Sequence, residues 1–415
     1  MRIVIYSLNY SPEPVGIGKY SGELGSWLSK RGHDVRAVTS QPYFPQWKTD
    51  ENRYRREMRD GVDVWRCPIW VPKQPKGLTR LLHLASFAIS SLAPILSQSR
   101  WKPDLVICVA PAMFCAVGAI WLGQLSGRRT ATWLHIQDYE LDAAFQMNIL
   151  KGRLIRHLAE KWESHIVKRF DRVSSISDAM GSHAIKKGVS GQKIRVFPNW
   201  IDIRKIYPMD QALRCKSMYR KELGLAPDHT VLLYSGSMNK KQGLEILVEC
   251  AKILEDRKDI IWVLAGEGPG RNALLRQTKM EQVRLVELQP ANRLNEWLNT
   301  ADIHLLPQRA EATDLVMPSK LLGMLASGRP VVATSPKGST LGLIAEEAGC
   351  RVDPSDVRGF ADAIIRLTEN KDERLRLGEK ARQIAEVYYD KDHILSMFEE
   401  EARRVIVEKS EPITP

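Results

Sequence analysis

Along the chain, short apolar runs alternate with stretches in which apolar positions recur every three or four residues, the mark of strands interleaved with helices. Arg2 to Leu8 is a buried-strand pattern, followed by the glycine-containing loop SPEPVGIGK and a helix that Gly32 ends. Further strands are predicted at Asp34–Ser40, Asp63–Trp70, Leu105–Ala110, Thr130–Ile136, Arg172–Ser177 and Ile194–Asn199. Between them lie an apolar helix over Leu81–Ser97 and a charged one around Arg153–Phe170. The segment VFPNWID closes this half, its Pro198 and Asn199 reading as a hinge. The second half begins with a polar helix around Asp210–Leu223 and has strands at Thr230–Gly236, Ile260–Gly266, Val283–Gln289, Asp302–Pro307 and Pro330–Thr334. Its other helices fall at LNEWLNTA, at Lys320–Ala326 and from Ser355 to the end, with a break at Tyr388 and Tyr389. Strands alternating with helices predict an α/β fold built on doubly wound parallel sheets.

Length agrees with two such sheets: 415 residues suffice for two domains of about 200 residues, each with a full core. A hydrophobic share of 44% and a charged share of 27% are those of a globular protein. Charge is lopsided, because residues 1–200 carry 29 Lys and Arg against 16 Asp and Glu, whereas residues 201–415 carry 32 against 33. The first half should therefore be drawn to phosphates, on lipid, nucleic acid or a diphosphate substrate. Nucleic acid is disfavoured, since no compact module interleaves stacking aromatics with the basic residues. The six cysteines show no CxxC pairing and read as reduced core residues. The start MRIVIYSLNY enters a strand directly, so no signal peptide is expected. No apolar window is expected to reach the roughly 18 to 20 residues of a membrane span. Leu81–Ser97, interrupted by His83 and Pro94 and preceded by Lys73, Lys76 and Arg80, suits a helix lying on a membrane surface or one buried in a core.

Candidate chemistry gathers where strands end, because ligands of open α/β sheets bind outside the carboxyl ends of strands. Gly16 and Gly18 let the backbone approach a ligand between the first strand and first helix, although the dinucleotide pattern GxGxxG is absent. His135, Asp138, Glu140 and Asp142 lie at or beyond the end of TATWLHI, placed for an acid, a base or a sugar-hydroxyl acceptor. A lone histidine in a strand is more often structural. PYFPQW offers aromatics against which an acceptor could rest. In the second half, Gly236, Ser237, Lys240, Lys241 and Gly243 form a basic loop ahead of a helix, suited to diphosphate oxygens or simply a solvated turn. GEGPGR follows another strand and presents Arg271. Pro318 leads into Ser319, expected to cap a helix, and Lys320, where free N–H groups, helix dipole and ammonium all favour an anion.

The motifs LNYSPEPVGIGKYSGEL, GHDVRAVTSQPYFPQW, WLHIQDYELDAAF, VFPNWID, YSGSMNKKQGLEIL, LAGEGPG and DLVMPSKLLGMLASGRPVVAT, in this order, resemble glycosyltransferase family 4, and within it the colanic acid biosynthesis enzymes of the WcaI type. The resemblance implies a GT-B fold, two Rossmann-like domains facing across a cleft: residues 1–200 for the acceptor, and residues 201–389 for a nucleotide-diphosphate sugar. A last helix at about 390–415 would pack back on the first. It further implies a retaining hexosyltransferase needing no metal or other cofactor, with a polyprenyl-diphosphate-linked saccharide as acceptor. GDP-L-fucose is the first donor to consider and UDP-hexoses come next. The protein would sit in the cytoplasm, on the anionic inner leaflet of the inner membrane. A nucleotide-sugar 2-epimerase of the same fold, or a non-catalytic nucleotide-sugar sensor, are the alternatives.

Carried over by motif, Gly16 and Gly18 would approach the diphosphate, and Lys240, Lys241, Ser319 and Lys320 would hold it, with Ser237, Pro318 and Leu321 beside them. Gly266, Glu267, Gly268 and Arg293 would lie near the nucleoside, and His135, Asp138, Lys241 and Lys320 would serve the chemistry. Two departures stand out. The family pattern has Arg and Lys where this chain has Ser237 and Gln242, which shifts the expected charge to Lys240 and Lys241. Its paired glutamates fall on Leu315 and Gly323, leaving Asp314 or Glu311 to stand in for the first.

Overall fold

The computed structural model describes the chain apart from residues 15, 45, 74–76, 111–112, 128, 140–152, 240–241, 278–279, 311–317 and 412–415. Two compact units divide it: Met1–Asn199 joined by the C-terminal segment from His393, and Trp200–Asp392.

Unit 1 holds β1 Arg2–Ser7, β2 Asp34–Ser40, β3 Arg55–Arg59, β4 Val62–Cys67, β5 Leu105–Ala110, β6 Ala131–Ile136, β7 Arg172–Ser175 and β8 Ile194–Val196. The sheet order is β3-β4-β2-β1-β5-β6-β7-β8. Every pairing is parallel except β3 with β4. β5 and β6 are buried at every position, as helix-covered parallel strands must be. The hairpin strand β3 was not expected: its sequence RREMR is mostly exposed and has no apolar face, a charged edge of the kind that blocks further pairing. The C-terminal helix Lys391–Ser410 belongs here from His393 onward. Phe398 stacks at 4.7 Å on both Trp133 and Phe197. Buried Glu399 pairs with His33 at 3.0 Å and Arg31 at 3.2 Å, and buried Arg172 with Glu401 at 2.9 Å.

The helix Leu78–Ser97, continued by a 3-10 turn to Trp101, corrects one expectation: by length and composition alone it could cross a membrane. Pro94 does not interrupt it. The carbonyl of Ser90, four residues earlier and deprived of its helical N–H, accepts instead from Tyr54 Oη at 2.8 Å. One face of the helix is committed to the unit, with Ser91 Oγ 2.6 Å from Tyr6 Oη and Phe87 against the Tyr6 ring.

Unit 2 holds β9 Thr230–Ser235, β10 Ile260–Ala265, β11 Val283–Val286, β12 Ile303–Leu306, β13 Val331–Thr334 and β14 Gly349–Val352, ordered β11-β10-β9-β12-β13-β14 and all parallel. This is a doubly wound Rossmann-like order whose switch point lies between β9 and β12; in unit 1 the switch point lies between β1 and β5. The short β14, GCRV, was also unexpected. The polar helix expected at Asp210–Leu223 is two short ones, Gln211–Cys215 and Met218–Glu222, the second capped by Ser217, which accepts from Arg220 N. Five cysteines, Cys67, Cys108, Cys115, Cys250 and Cys350, are buried free thiols.

Candidate functional site

The unit 2 switch point is built on Lys320, first residue of the helix Lys320–Ala326. Its ammonium donates to Gln242 Oε1 at 2.6 Å and Tyr234 Oη at 3.1 Å, and lies 4.3 Å from the Tyr234 ring centroid. Tyr234 passes the bond on, donating to Ser237 O at 2.6 Å. Among the described residues no carboxylate pairs with this lysine, and burial pulls its pKa down to about 7. Gly236, at the end of β9, sits directly beside it: a Cβ there would lie 3.2 Å from Lys320 Cδ.

This geometry bears on the first departure from the family pattern. Gln242, which stands where the pattern has a lysine, holds the ammonium of Lys320 through its side-chain oxygen. Sequence reasoning named Lys320 and noted Gln242 but did not join them, because residues 78 positions apart carry no local signal of contact.

One expectation on this helix is corrected. Ser319 occupies the N-cap position in helical conformation with no side-chain capping bond, because its φ and ψ are not those from which a serine reaches N2 or N3. The side chain of Leu321 is fully buried in the unit 2 core and its N–H donates to Pro318 O at 3.0 Å. Gly323, where the pattern places a ribose-binding glutamate, presses on the helix before β12: a Cβ would lie 3.1 Å from Leu298.

The loops after β9 and β10 interlock. Gly236 N donates to Ala265 O at 3.0 Å, Met238 N to Glu267 O at 2.8 Å and Gly270 N to Met238 O at 2.8 Å. A Cβ on Gly266 would fall onto the carbonyl oxygen of Gly236, and one on Gly268 would lie 2.6 Å from Met238 O. Both glycines thus have a packing reason to be glycine. The Glu267 side chain is exposed and pairs loosely with Arg271 at 3.7 Å. Arg293 stacks on Tyr219 at 3.9 Å and pairs with Glu296 at 3.1 Å and Glu222 at 3.7 Å, tying the helix Met218–Glu222 to the helix Leu294–Leu298. Lys240, Lys241, Glu311, Asp314 and Leu315 lie outside the described residues, as do Glu140 and Asp142.

In unit 1, buried Glu13 organises the loops beyond β1 and β2, a role sequence reasoning missed. Its Oε1 accepts from the backbone N–H groups of Tyr43 and Phe44 at 3.1 and 3.0 Å, and its Oε2 from Asn9 Nδ2 at 2.8 Å. Burial pushes this carboxyl up, against those donors. Gly18 is glycine because Glu13 needs the space, a Cβ there lying 2.7 Å from it, whereas Gly16 takes φ of 60° at the exposed start of the first helix. Replacing Glu13 by alanine strands two backbone donors and is expected to destabilise by about 2 kcal/mol. Amide exchange of Tyr43 and Phe44 should quicken, while Glu13→Gln, which keeps an acceptor oxygen, protects them; equal protection in both variants would contradict the clamp.

The aromatics of PYFPQW close around one another beside this clamp, Tyr43 and Trp47 at 5.4 Å, with buried His83 at 4.8 Å from Tyr43 and Arg80 over Trp47 at 5.1 Å. His135 lies in β6 with Nδ1 2.9 Å from Ser174 Oγ and its ring 5.0 Å from Phe197. Burial pulls its pKa down to about 3, so at neutral pH it is an uncharged and weakly basic imidazole. Asp138 is half-buried, two residues beyond the end of β6. Among the described residues no group of three or more His, Cys, Asp or Glu could hold a metal ion.

Two doubly wound, Rossmann-like units are the architecture of the GT-B class. The chain belongs to the family 4 glycosyltransferases: residues 15–200 match the glycosyl transferase 4-like domain and residues 229–370 the glycosyl transferases group 1 domain. It is 40% identical, over 96% of its length and 98% of the relative's, to the putative colanic acid biosynthesis glycosyl transferase WcaI of Escherichia coli K12. It is 24% identical to the N-acetyl-alpha-D-glucosaminyl L-malate synthase of Bacillus anthracis, over 94% and 93% of the two chains. Sucrose-phosphate synthase from Thermosynechococcus elongatus shares the fold with a TM-score of 0.76 at 17% identity, covering 98% and 99% of the chains. Anabaena HepE, solved with UDP and glucose, has a TM-score of 0.69 at 15% identity, covering 97% and 100%.

Proposed function

We propose that this glycosyltransferase is a retaining enzyme of exopolysaccharide synthesis, moving a hexose from a nucleotide-diphosphate sugar to a polyprenyl-diphosphate-linked saccharide. The observation that carries the reading is the contact of Lys320 with Gln242 and Tyr234 at the unit 2 switch point, with no carboxylate partner among the described residues, in a chain so similar to WcaI. Unit 2 holds the diphosphate through Lys320 and the loop after β9; the loops of unit 1 around Glu13 and Trp47 receive the acceptor. The bond from the anomeric carbon to the diphosphate oxygen breaks, its electron pair staying with that oxygen. The acceptor hydroxyl attacks from the same face, and its proton passes to the departing phosphate. Lys320 stabilises the charge that develops there, and no divalent ion is required. GDP-L-fucose leads the candidate donors and UDP-hexoses follow, UDP-glucose being a ligand of HepE. Transfer from labelled nucleotide sugars, in the presence of chelator, with the product anomer read by NMR, tests donor, metal independence and stereochemistry. An inverted anomer or loss of turnover with chelator would overturn the corresponding part.

The same reading places the protein on the cytoplasmic face of the inner membrane, through the outer face of the helix Leu78–Ser97. Leu78, Leu82 and Ile89 are exposed there, Ile89 at 76%, and the helix Met113–Ser126 that packs alongside exposes Trp121 and Leu125. Such an apolar stripe, on the half of the chain that carries the positive charge, fits an anionic bilayer surface. The protein is expected to float with anionic liposomes at low salt, and L82E with I89E to cut the bound fraction at least tenfold. Failure of the unaltered protein to float counts against this placement.

A further inference from the structure

At the end of the unit 2 sheet opposite Lys320, a cavity of about 480 Å³ opens beside the amino ends of β12 and β13, a size typical of small-molecule sites. Arg214, Arg329 and Arg374 line it with Asp302, and on the wall formed by the helix Lys371–Tyr388 stand Lys371 and Arg382, the latter paired with Glu386 at 2.7 Å. Gly328 and Gly378 let that helix approach closely, a Cβ on Gly378 falling onto the carbonyl oxygen of Gly328. Arg214 and Arg329 are buried.

Each guanidinium is partly used by the fold. Arg214 donates to the carbonyls of Asn299 and Ala301 and to Asp302, all at 2.7 Å. Arg329 Nη2 donates to Met209 O at 2.9 Å and Asn299 Oδ1 at 3.3 Å, and Arg374 Nη1 to the carbonyls of Leu367 and Thr368. What remains is an imbalance. Among the described residues no carboxylate pairs with Arg329 or Arg374, and Arg329 Nε is buried without a hydrogen-bond partner. Asp302 is divided between Arg214 at 2.7 Å and Arg220 at 3.7 Å, and also accepts from Val231 N at 2.9 Å. Burial first, and then the charge of Arg214, pull the Arg329 pKa down to about 10. Tying down carbonyls explains the bonds that are made. It does not explain why Arg214, Arg329 and Arg374 gather on the cavity floor around Asp302 alone, the other lining carboxylates, Asp210, Glu379 and Glu386, being exposed at the rim, since buried charge without a counter-ion is costly.

We propose that this cavity binds a small phosphate-bearing molecule, held by Arg329 and Arg374 with Lys371 at the rim, at a site separate from the nucleotide sugar. Guanidinium forks match phosphate oxygens, and the pocket is large enough for a sugar phosphate. The strand β12, roughly 13 Å long at 3.3 Å per residue, keeps the two sites apart.

The test titrates the full chain calorimetrically with inorganic pyrophosphate against chloride at matched ionic strength, in a Lys320→Met background that weakens binding at the sheet's other end. One site is expected to remain. Arg374→Gln should weaken it at least fivefold, and Lys371→Glu, a change at an exposed rim position that leaves the fold alone, at least threefold. Neither change should alter nucleotide-sugar affinity in the protein with Lys320 intact. No pyrophosphate binding in the Lys320→Met protein, or binding indifferent to both rim and floor changes, overturns the proposal whatever reaction the enzyme performs.

Discussion

Replacing Lys320 by methionine should slow transfer at saturating acceptor by at least tenfold while making the protein more stable. The two effects have one cause. An ammonium that, among the described residues, has no carboxylate partner and bonds to Gln242 and Tyr234 is poorly solvated in the free enzyme and so readily accepts a diphosphate. Its folded pKa of about 7 lies below the unfolded value of about 10.4. Between these values the unfolded chain binds the extra proton, so stability should rise with pH from 7 towards 10 in the natural protein and stay flat in the Met variant. The variant's advantage should be largest below pH 7, on the order of 2 kcal/mol, as expected when a site residue is strained for function. Affinity for a nucleotide sugar, whose diphosphate diester does not titrate here, should run the other way. It stays constant below pH 7, where the ammonium is already charged, and weakens as pH rises beyond 7. Lys320→Arg, always charged, removes that pH dependence. Calorimetry between pH 6 and 9 and thermal melts of the three proteins check each part. Unchanged turnover in the Met variant refutes the role outright.

The strands and helices that carry this lysine were legible because each is a local pattern. Runs such as LVICVA and IIWVLA, short, rich in β-branched residues and bounded by turn residues, read as strands covered on both faces, and alternation with helices implies parallel sheets. What local patterns do not contain is pairing across distance. The charged strand Arg55–Arg59 is a strand only because β4 offers its edge, and the helix from Leu78 passes Pro94 only because Tyr54 supplies a substitute donor. The candidate site divides in the same way. Lys320 could be named from its helix start, yet its hold on Gln242 depends on the sheet bringing residues 78 apart together. Glu13 was overlooked although it stands in the first loop, because its partners, the N–H groups of Tyr43 and Phe44, arrive from the following strand–loop unit. Leu321 was assigned to the ligand by motif, whereas the core position of its side chain follows from the helix face it occupies.

Gly266→Ala is expected to cost about 4 kcal/mol, at the upper end for a single substitution, and to lower the unfolding midpoint of unit 2 by roughly 10 °C. The methyl group would occupy the position of the Gly236 carbonyl oxygen, and φ of 154° already disfavours any side chain. Neither loop can yield alone, since Met238 N, Gly270 N and Gly236 N bind them to each other. The displaced partner would be Gly236, which lies against Lys320, so any folded fraction should also bind nucleotide sugar more weakly. Glu267→Ala in the same loop removes an exposed side chain and should leave the midpoint within about 1 °C, since surface changes away from such contacts fall within about 0.5 kcal/mol. The comparison separates two roles for the glycine turn. A turn that serves only the nucleoside would let Gly266→Ala melt normally and raise the dissociation constant alone. A turn that locks β9 to β10 loses stability first and affinity as a consequence, and the interlocked hydrogen bonds favour this second outcome.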